Sequence, residues 1–277
     1  MGFAYATINR LTGLAAASFT VSTGAGPAND TRLYLNDGQM AAQYTLNSGT
    51  TTEAIDIDLG AAQSVSAIAI LNHNLAALGS PTVTVTAADN AGFSVGVVTP
   101  KATTTLNTTS PKHKDHVLQF GAVSKRYWRI AFTPSLSTSL KIGELFAAAS
   151  TTQLTRGQID GSGEGFKVLG VANEMQYGSV RSLFFAGPVR RRRLRFQDWT
   201  EAQKNELLTM WSAVNGPFSP LLWIESYEAV STAAATAQQE CIFGRLRDAD
   251  FEWTFTDFLY RQVPELVITS EGRERGA

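Results

Sequence analysis

Residues 54–75 read AIDIDLGAAQSVSAIAILNHNL, and two patterns in this stretch decide the fold. The first residues alternate between apolar and polar, which predicts a strand with three side chains on one face: Ile55, Ile57 and Leu59. Residues 65–71 are almost continuously apolar, as expected of a strand covered on both faces. We therefore predict two neighbouring strands of a small β-sandwich, the first of them ending at Gly60.

The same patterns recur around this stretch. Residues 82–86 alternate as TVTVT, and further short strands are predicted at 117–120, 126–132 and 140–146. Asn36-Asp37-Gly38 and Asn72-His73-Asn74 have the composition of turns, because Asn, Asp and Gly tolerate positive φ. Many short strands with turn signals and no helical pattern predict a jelly-roll β-sandwich over residues 10–150.

A second domain is predicted at residues 165–277, after a linker rich in Ser, Thr and Gly. Paired strands are expected around Gly187-Pro188, followed by one helix at about 201–215 that begins with a Thr200–Gln203 capping box. Further strands are predicted at 221–224, 240–246, 251–256 and 266–269. The fold class is therefore mostly β, a jelly-roll β-sandwich followed by a β-rich (α+β) domain with one packed helix.

Composition argues against several functional classes. The chain has 277 residues, a hydrophobic content of 44%, a charged content of 17% and a formal net charge of −1. Such a chain has no overall field to attract nucleic acid, and no apolar run is long enough to cross a bilayer. The single cysteine, Cys241, excludes an internal disulfide framework and fits synthesis in a reducing cytoplasm. We therefore predict no nucleic-acid partner and no membrane span.

The first domain resembles the discoidin-like, or galactose-binding-like, jelly rolls. The resemblance lies in Asn36-Asp37-Gly38, in IDLG at 57–60, in AILNHN at 69–74, and in YWRI at 127–130 with IGEL at 142–145. Members of this family bind sugars, lipids or proteins. The resemblance therefore implies a binding domain rather than a catalytic one.

The second domain resembles the distal-tail proteins of tailed-bacteriophage tail tips and baseplates. It shares a strand at 191–199, the helix, a Gly-Pro-Phe turn at 216–218 leading into an apolar strand, and the strands at 240–247 and 251–256. The resemblance implies a structural protein of the virion tail, made in the host cytoplasm, that forms a ring with itself and contacts other tail or baseplate proteins. A hexamer is the expected ring. The jelly roll would then face outward, where it would bind host-surface glycan.

Two alternatives to a tail component remain open at this point. One is a carbohydrate-binding module of a polysaccharide-degrading system. The other is a calcium-dependent adhesion domain, for which four residues offer oxygen ligands but are also ordinary turn formers: Asn29, Asp30, Asn36 and Asp37.

Candidate ligand-binding and interface residues follow from these expectations. His73 and Asn74 are predicted to hydrogen-bond a sugar, with Tyr34 as an aromatic platform, and a role within the loop is the alternative for His73. Subunit contact is predicted for Arg191, Arg193 and Arg195, which share one face of a strand and can form bidentate bonds to an acidic neighbour, although a solvated face is the simpler explanation. Trp223 and Trp253 are predicted either to fill the core or to anchor a subunit interface.

The sequence carries no catalytic or metal-binding motif. It contains no nucleophile elbow, no Gly-rich phosphate loop and no HExxH. His113 and His116 flank an aspartate, but the sequence offers no further histidine or cysteine nearby to complete a zinc site. We therefore predict a protein that is not an enzyme and that holds no cofactor and no metal.

Overall fold

The computed structural model describes residues 2–21, 31–38, 40, 42–45, 53–75, 82–106, 115–133, 140–154, 163–174, 180–199, 201–216, 218–227, 241–246, 254–255 and 261–270. These residues belong to two compact units. The first contains Met1–Leu154 and Leu222–Cys241, and the second contains Thr155–Leu221 and Ile242–Ala277. The bounds predicted from sequence differ, because they assign residues 222–241 to the second domain.

The described residues form sixteen strands, one α-helix and two short 3-10 turns. The strands are β1 (Gly2–Ala6), β2 (Phe19–Val21), β3 (Tyr44–Thr45), β4 (Glu53–Leu71), β5 (Thr82–Ala88), β6 (Val98–Thr105), β7 (His116–Thr133), β8 (Lys141–Ile142), β9 (Glu144–Ala148), β10 (Thr152–Gln153), β11 (Gly163–Glu174), β12 (Val180–Trp199), β13 (Leu221–Tyr227), β14 (Cys241–Leu246), β15 (Thr254–Phe255) and β16 (Arg261–Ser270). The helix is α1 (Glu201–Ala213), and the turns are η1 (Ala16–Ser18) and η2 (Arg32–Leu35). The described part of the chain is mostly β, with antiparallel sheets and one helix, which confirms the predicted fold class.

The first unit is organised around a six-stranded antiparallel sheet. Its order is β2–β4–β7–β5–β6, and β9 pairs with the later part of β4. A two-stranded sheet joins β3 to β8. The N-terminal strand β1 pairs with β10 on one side and with β13 on the other, and β13 belongs to the first unit from Leu222 onward.

Strand β4 is one strand of 19 residues, not two. Its register with β7 passes from Asp58 opposite Tyr127 to Gln63 opposite Lys125, so the residues between form a bulge. Gly60 lies in this bulge with a φ of 76°, which glycine adopts at little cost. The prediction that Gly60 ends the strand is wrong, because its positive φ accommodates a bulge and pairing resumes beyond it.

The core of the first unit is made by the alternating residues of β4, β7 and β5. Ile57 lies opposite Trp128, and Trp128 lies opposite Ala87, so apolar positions of three strands meet in register. The same face carries further buried side chains: Ile55, Val83, Val85, Ile130 and Phe132. Each large side chain buried in this way stabilises the fold by about 1.5–3 kcal/mol.

In the second unit, β12 pairs with β11 on one side and with β16 on the other. The two short strands predicted around Gly187-Pro188 are instead parts of β12, which continues for 20 residues and pairs with β11. That prediction is wrong because it treated Gly187-Pro188 as a turn between two strands.

Helix α1 ends two residues before the predicted end, and the residues that follow it, Asn215 and Gly216, both have positive φ. Among the described residues, no helix has the length and apolar character that a bilayer span requires.

Candidate functional site

One end of the first unit, which we call the loop end, consists of residues 34–38, 40, 42–45, 71–75, 115–116 and 140–144. Asn72 links these segments through hydrogen bonds, and it adopts a φ of 49°, a value that asparagine tolerates better than most residues. Its backbone N–H donates to Asp115 Oδ1 at 2.9 Å, and its side-chain amide donates to the Met40 carbonyl at 2.6 Å. The Gln43 amide donates in turn to the Asn72 carbonyl at 3.1 Å.

Two buried histidines lie under this end. His73 is 2% exposed and His116 is 4% exposed, and His73 Nε2 lies 2.6 Å from His116 Nδ1. The Leu75 N–H donates to His73 Nδ1 at 3.2 Å, so this nitrogen is an acceptor and carries no proton. The proton of His73 is therefore on Nε2 and is donated to His116 Nδ1. The sequence did not predict the contact between the two rings.

Glu144 is a third buried polar group at the loop end, with 1% of its surface exposed. Burial raises the pKa of its carboxyl group to about 9, although the Gly38 N–H donates to Oε2 at 3.0 Å and favours the charged form. The negative charge of Asp37 raises the pKa further. Glu144 is therefore neutral near pH 7, and it holds the turn at Gly38 against β9.

The predicted ligand residues lie on linked elements but differ in accessibility. Tyr34 is 39% exposed on η2, which packs against β3. Strand β3 pairs with β8, where Lys141 is exposed. The Asn74 N–H donates to the Lys141 carbonyl at 3.3 Å, and the Lys141 N–H donates to the Asn74 side-chain Oδ1 at 2.8 Å. Tyr34 and Asn74 therefore lie on the loop end, whereas His73 is buried beneath it. The burial of His73 favours the loop role left open for it over a direct sugar contact.

A group of ion pairs lies on the sheet face opposite the core. Arg129 Nε donates to Asp56 Oδ1 at 2.6 Å, and Arg126 Nε donates to Asp58 Oδ1 at 2.7 Å. The hydrogen bond from Arg126 lowers the pKa of Asp58, and the hydrogen bond to Asp56 raises the pKa of Arg129. The alternating pattern of residues 54–59 puts the two aspartates on the face opposite the apolar residues, but it does not identify their partners. The available signal was the presence of two aspartates on β4 and two arginines on β7, which carry opposite charges.

The residues predicted to lie at a subunit interface differ in burial and in the strand that carries them. Trp223 is fully buried and stacks on Phe3 with ring centroids 5.6 Å apart, so it belongs to the core, one of the two roles left open for it. Arg193 is exposed on β12 beside the buried Leu194. Arg191 and Arg195 are on the same strand, and Trp253 lies outside the described residues. Subunit contact by the arginines stays a prediction.

The described residues contain no group of three or more His, Cys, Asp or Glu side chains that could hold a metal ion. For the calcium alternative, the Asn36 amide donates to the carbonyls of Leu11 at 2.6 Å and Leu14 at 3.0 Å. This amide therefore stabilises the N-terminal segment, which is the turn-forming role. Asn29, Asp30 and His113 lie outside the described residues.

No protein-family model matches the chain, and no curated protein matches it either. Solved structures similar to its N-terminal part are carbohydrate-binding modules with a galactose-binding-like jelly roll. One is chitosan-binding module 1 derived from a chitosanase/glucanase of Paenibacillus sp. IK-5, with 19% identity and a TM-score of 0.38, covering 50% of this chain and 97% of the module. Another is CBM32-1 from a family 31 glycoside hydrolase of Clostridium perfringens, with 13% identity and a TM-score of 0.38, covering 47% of this chain and 93% of the module.

A third similar structure is a GH29 fucosidase of Ruminococcus gnavus in complex with fucose, with 11% identity and a TM-score of 0.38. The match covers 51% of this chain and 26% of the enzyme, so the chain spans about a quarter of that protein. These comparisons do not test the resemblance of the second domain to phage tail-tip proteins, which stays a prediction.

Proposed function

We propose that the first unit is a non-catalytic carbohydrate-binding module whose ligand lies on the loop end, against Tyr34. The observation that carries this proposal is an exposed aromatic ring on a rigidly held turn. The next residue, Leu35, is fully buried, and the Asn36 amide is anchored on two backbone carbonyls. An aromatic ring fixed in this way offers its apolar face to a sugar ring without first having to be ordered.

Polar groups elsewhere on the loop end suit a hydroxylated ligand. Lys141 is exposed on β8, and the half-buried Asn74 is fixed beside it. Ligand sites usually combine an apolar contact with a few placed polar groups that fix orientation. The buried bonds of His73 and Asn72 hold the turn that carries Asn74, so these residues act as supports.

A glycan array with neutral, acidic and amino-sugar polysaccharides tests this function. We expect the wild-type chain to bind at least one glycan, and Tyr34→Ala to weaken that binding by about three- to tenfold because an aromatic contact is lost. Tyr34→Phe keeps the ring and should bind nearly as well. Leu33→Ala, a change at a neighbouring residue that is 49% exposed, is the matched control. Failure of the wild-type chain to bind any glycan, or equal affinity of Tyr34→Ala, would contradict the proposal.

The system served by such a module is a separate question. An accessory role in polysaccharide degradation is the simplest context for a binding module with no chemistry of its own. The tail-tip role is our second candidate, favoured by the position of β11 in the second unit. Among the described strands β11 pairs with β12 alone, so its other edge is suited to pairing with a neighbouring subunit.

The tail-tip candidate predicts a closed ring located in a virion tail. Sedimentation of the purified chain over a range of concentrations distinguishes the two contexts. A discrete hexamer, with the protein present in purified phage tails, would favour the tail-tip role. A monomer at every concentration would leave the accessory module as the better candidate.

A further inference from the structure

A row of four polar residues crosses the sheet face opposite the core of the first unit. Thr20 lies opposite Asp56, Asp56 lies opposite Arg129, and Arg129 lies opposite Thr86. Directly opposite residues of antiparallel strands share one face, so these side chains form a continuous line over β2, β4, β7 and β5. The line spans three strand spacings, about 14 Å, which is longer than one sugar ring. We call these four residues the outer row.

The outer row offers hydrogen bonds without net charge. Arg129 uses Nε and Nη2 to bind both oxygens of Asp56, at 2.6 and 2.7 Å, so the two charges neutralise each other. A guanidinium group has five N–H donors and a carboxylate has about four acceptor sites, which leaves capacity on both groups. The Arg129 side chain is 33% exposed and Asp56 is 17% exposed, so both reach the surface. Hydroxyl groups of Thr20 and Thr86 flank the pair.

An aromatic ring lies beside this row in an unusual backbone conformation. The guanidinium carbon of Arg129 is 4.1 Å from the centroid of the Phe93 ring. Phe93 has a φ of 50°, in the left-handed region that bulky residues seldom adopt. The loop is held by Asn90 Oδ1, which accepts hydrogen bonds from the N–H groups of Ser94 at 3.0 Å and Val95 at 2.9 Å. Such strain persists where the surrounding structure enforces it, and it is concentrated at functional sites.

We propose that the outer row and Phe93 form a second glycan-binding surface, which takes a neutral oligosaccharide. This inference rests on the proposed carbohydrate-binding function and places a second contact away from the loop end. Sugar hydroxyls both donate and accept, as the paired Arg129 and Asp56 do, and the ring supplies an apolar contact. An anionic glycan would meet an already neutralised arginine and a carboxylate, so neutral chains are favoured. Two surfaces on one module would raise affinity for a polymer above that of either alone.

The test is calorimetric titration of the full chain with neutral hexasaccharides, namely cellohexaose, xylohexaose and mannohexaose, and with hexagalacturonate as the anionic comparison. Phe93→Asn removes the ring and places at this φ a residue that adopts it readily. A Thr20→Val/Thr86→Val double variant removes both hydroxyl groups at constant shape. Val97→Thr, at a loop residue that is 46% exposed, is the control. Thermal melting and sedimentation accompany each variant.

We expect Phe93→Asn to weaken binding of the best neutral hexasaccharide by about three- to tenfold, the double threonine variant to weaken it as well, and the control to change it less than twofold. If Tyr34→Ala weakens binding but neither outer-row variant does, the second surface is overturned while the proposed function stands. Tighter binding of hexagalacturonate than of every neutral chain also overturns it. A change in sedimentation of the Phe93→Asn variant overturns the proposal as well, because it would indicate that this face binds a second copy of the chain.

Discussion

His73 Nε2 and His116 Nδ1 are 2.6 Å apart, and their rings stack with centroids separated by 4.8 Å. This contact joins residues 43 positions apart in the chain, one in the turn after β4 and the other at the start of β7. Because the Leu75 N–H fixes the tautomer of His73, the direction of the bond between the rings is also fixed. The pair therefore determines how the turn that carries Asn74 sits on the sheet.

Two replacements of His116 should separate the effect of losing its acceptor nitrogen from the effect of losing its ring. In His116→Leu the Nε2–H of His73 would be buried without that acceptor, and we expect the free energy of unfolding to fall by about 1–3 kcal/mol. His116→Asn retains an acceptor at a similar distance from Cβ and should lose less. Urea unfolding of both variants measures the difference. Equal stability of the two variants would show that the bond between the rings contributes little.

The sequence was sufficient to predict the central strands of the first unit, but not the limits of every strand or the contacts between strands. The alternation in residues 53–59 correctly placed Ile55 and Ile57 in the core, because period-two patterning reports which face is buried. It did not predict that β4 continues through Gly60, since a glycine with positive φ can either end a strand or form a bulge. The turn formers around His73 left both a loop role and a sugar contact open for it. Its burial depends on His116, whose proximity follows from strand register and not from local sequence.

The Asp58–Arg126 pair should make stability depend on pH in the acid range. Arg126 lowers the pKa of Asp58 below its ordinary value of 3.8, so the folded state keeps this carboxylate charged at pH values where the unfolded chain protonates it. The resulting stability is present above pH 3.8 and is lost as the pH falls through the lower folded-state pKa. We expect Arg126→Gln to be less stable than the wild-type chain at pH 6 and equally stable near pH 2. Melting temperatures across this range test it, and a difference that persists unchanged at pH 2 would contradict it.

Glu144 should have the opposite effect in the alkaline range. Its pKa is raised from 4.5 to about 9, so the folded state retains a proton that the unfolded chain has lost. The free energy of unfolding should therefore decline as pH rises between these values, by up to about 1.4 kcal/mol per pH unit. Glu144→Gln keeps the shape and the acceptor for the Gly38 N–H but cannot ionise. We expect the variant to be more stable than the wild-type chain at pH 8.5 and similar at pH 4.5, as measured by urea unfolding. Parallel pH dependence of the two proteins would contradict this cause.

A methyl group at Gly143 should loosen the loop end and weaken glycan binding together. A Cβ atom at this position would lie 2.6 Å from the Met40 carbonyl oxygen and 2.9 Å from Asn72 Cβ, so these segments would have to move apart. We expect Gly143→Ala to lower the free energy of unfolding by about 1–3 kcal/mol, as other overpacked sites do, and to lower affinity for the glycan found on the array. Gly92→Ala is the matched control, because its Cβ would meet no atom closer than 3.5 Å. Unchanged affinity in a destabilised Gly143→Ala variant would show that the ligand does not depend on how these loops are held, and would move the binding site away from the loop end.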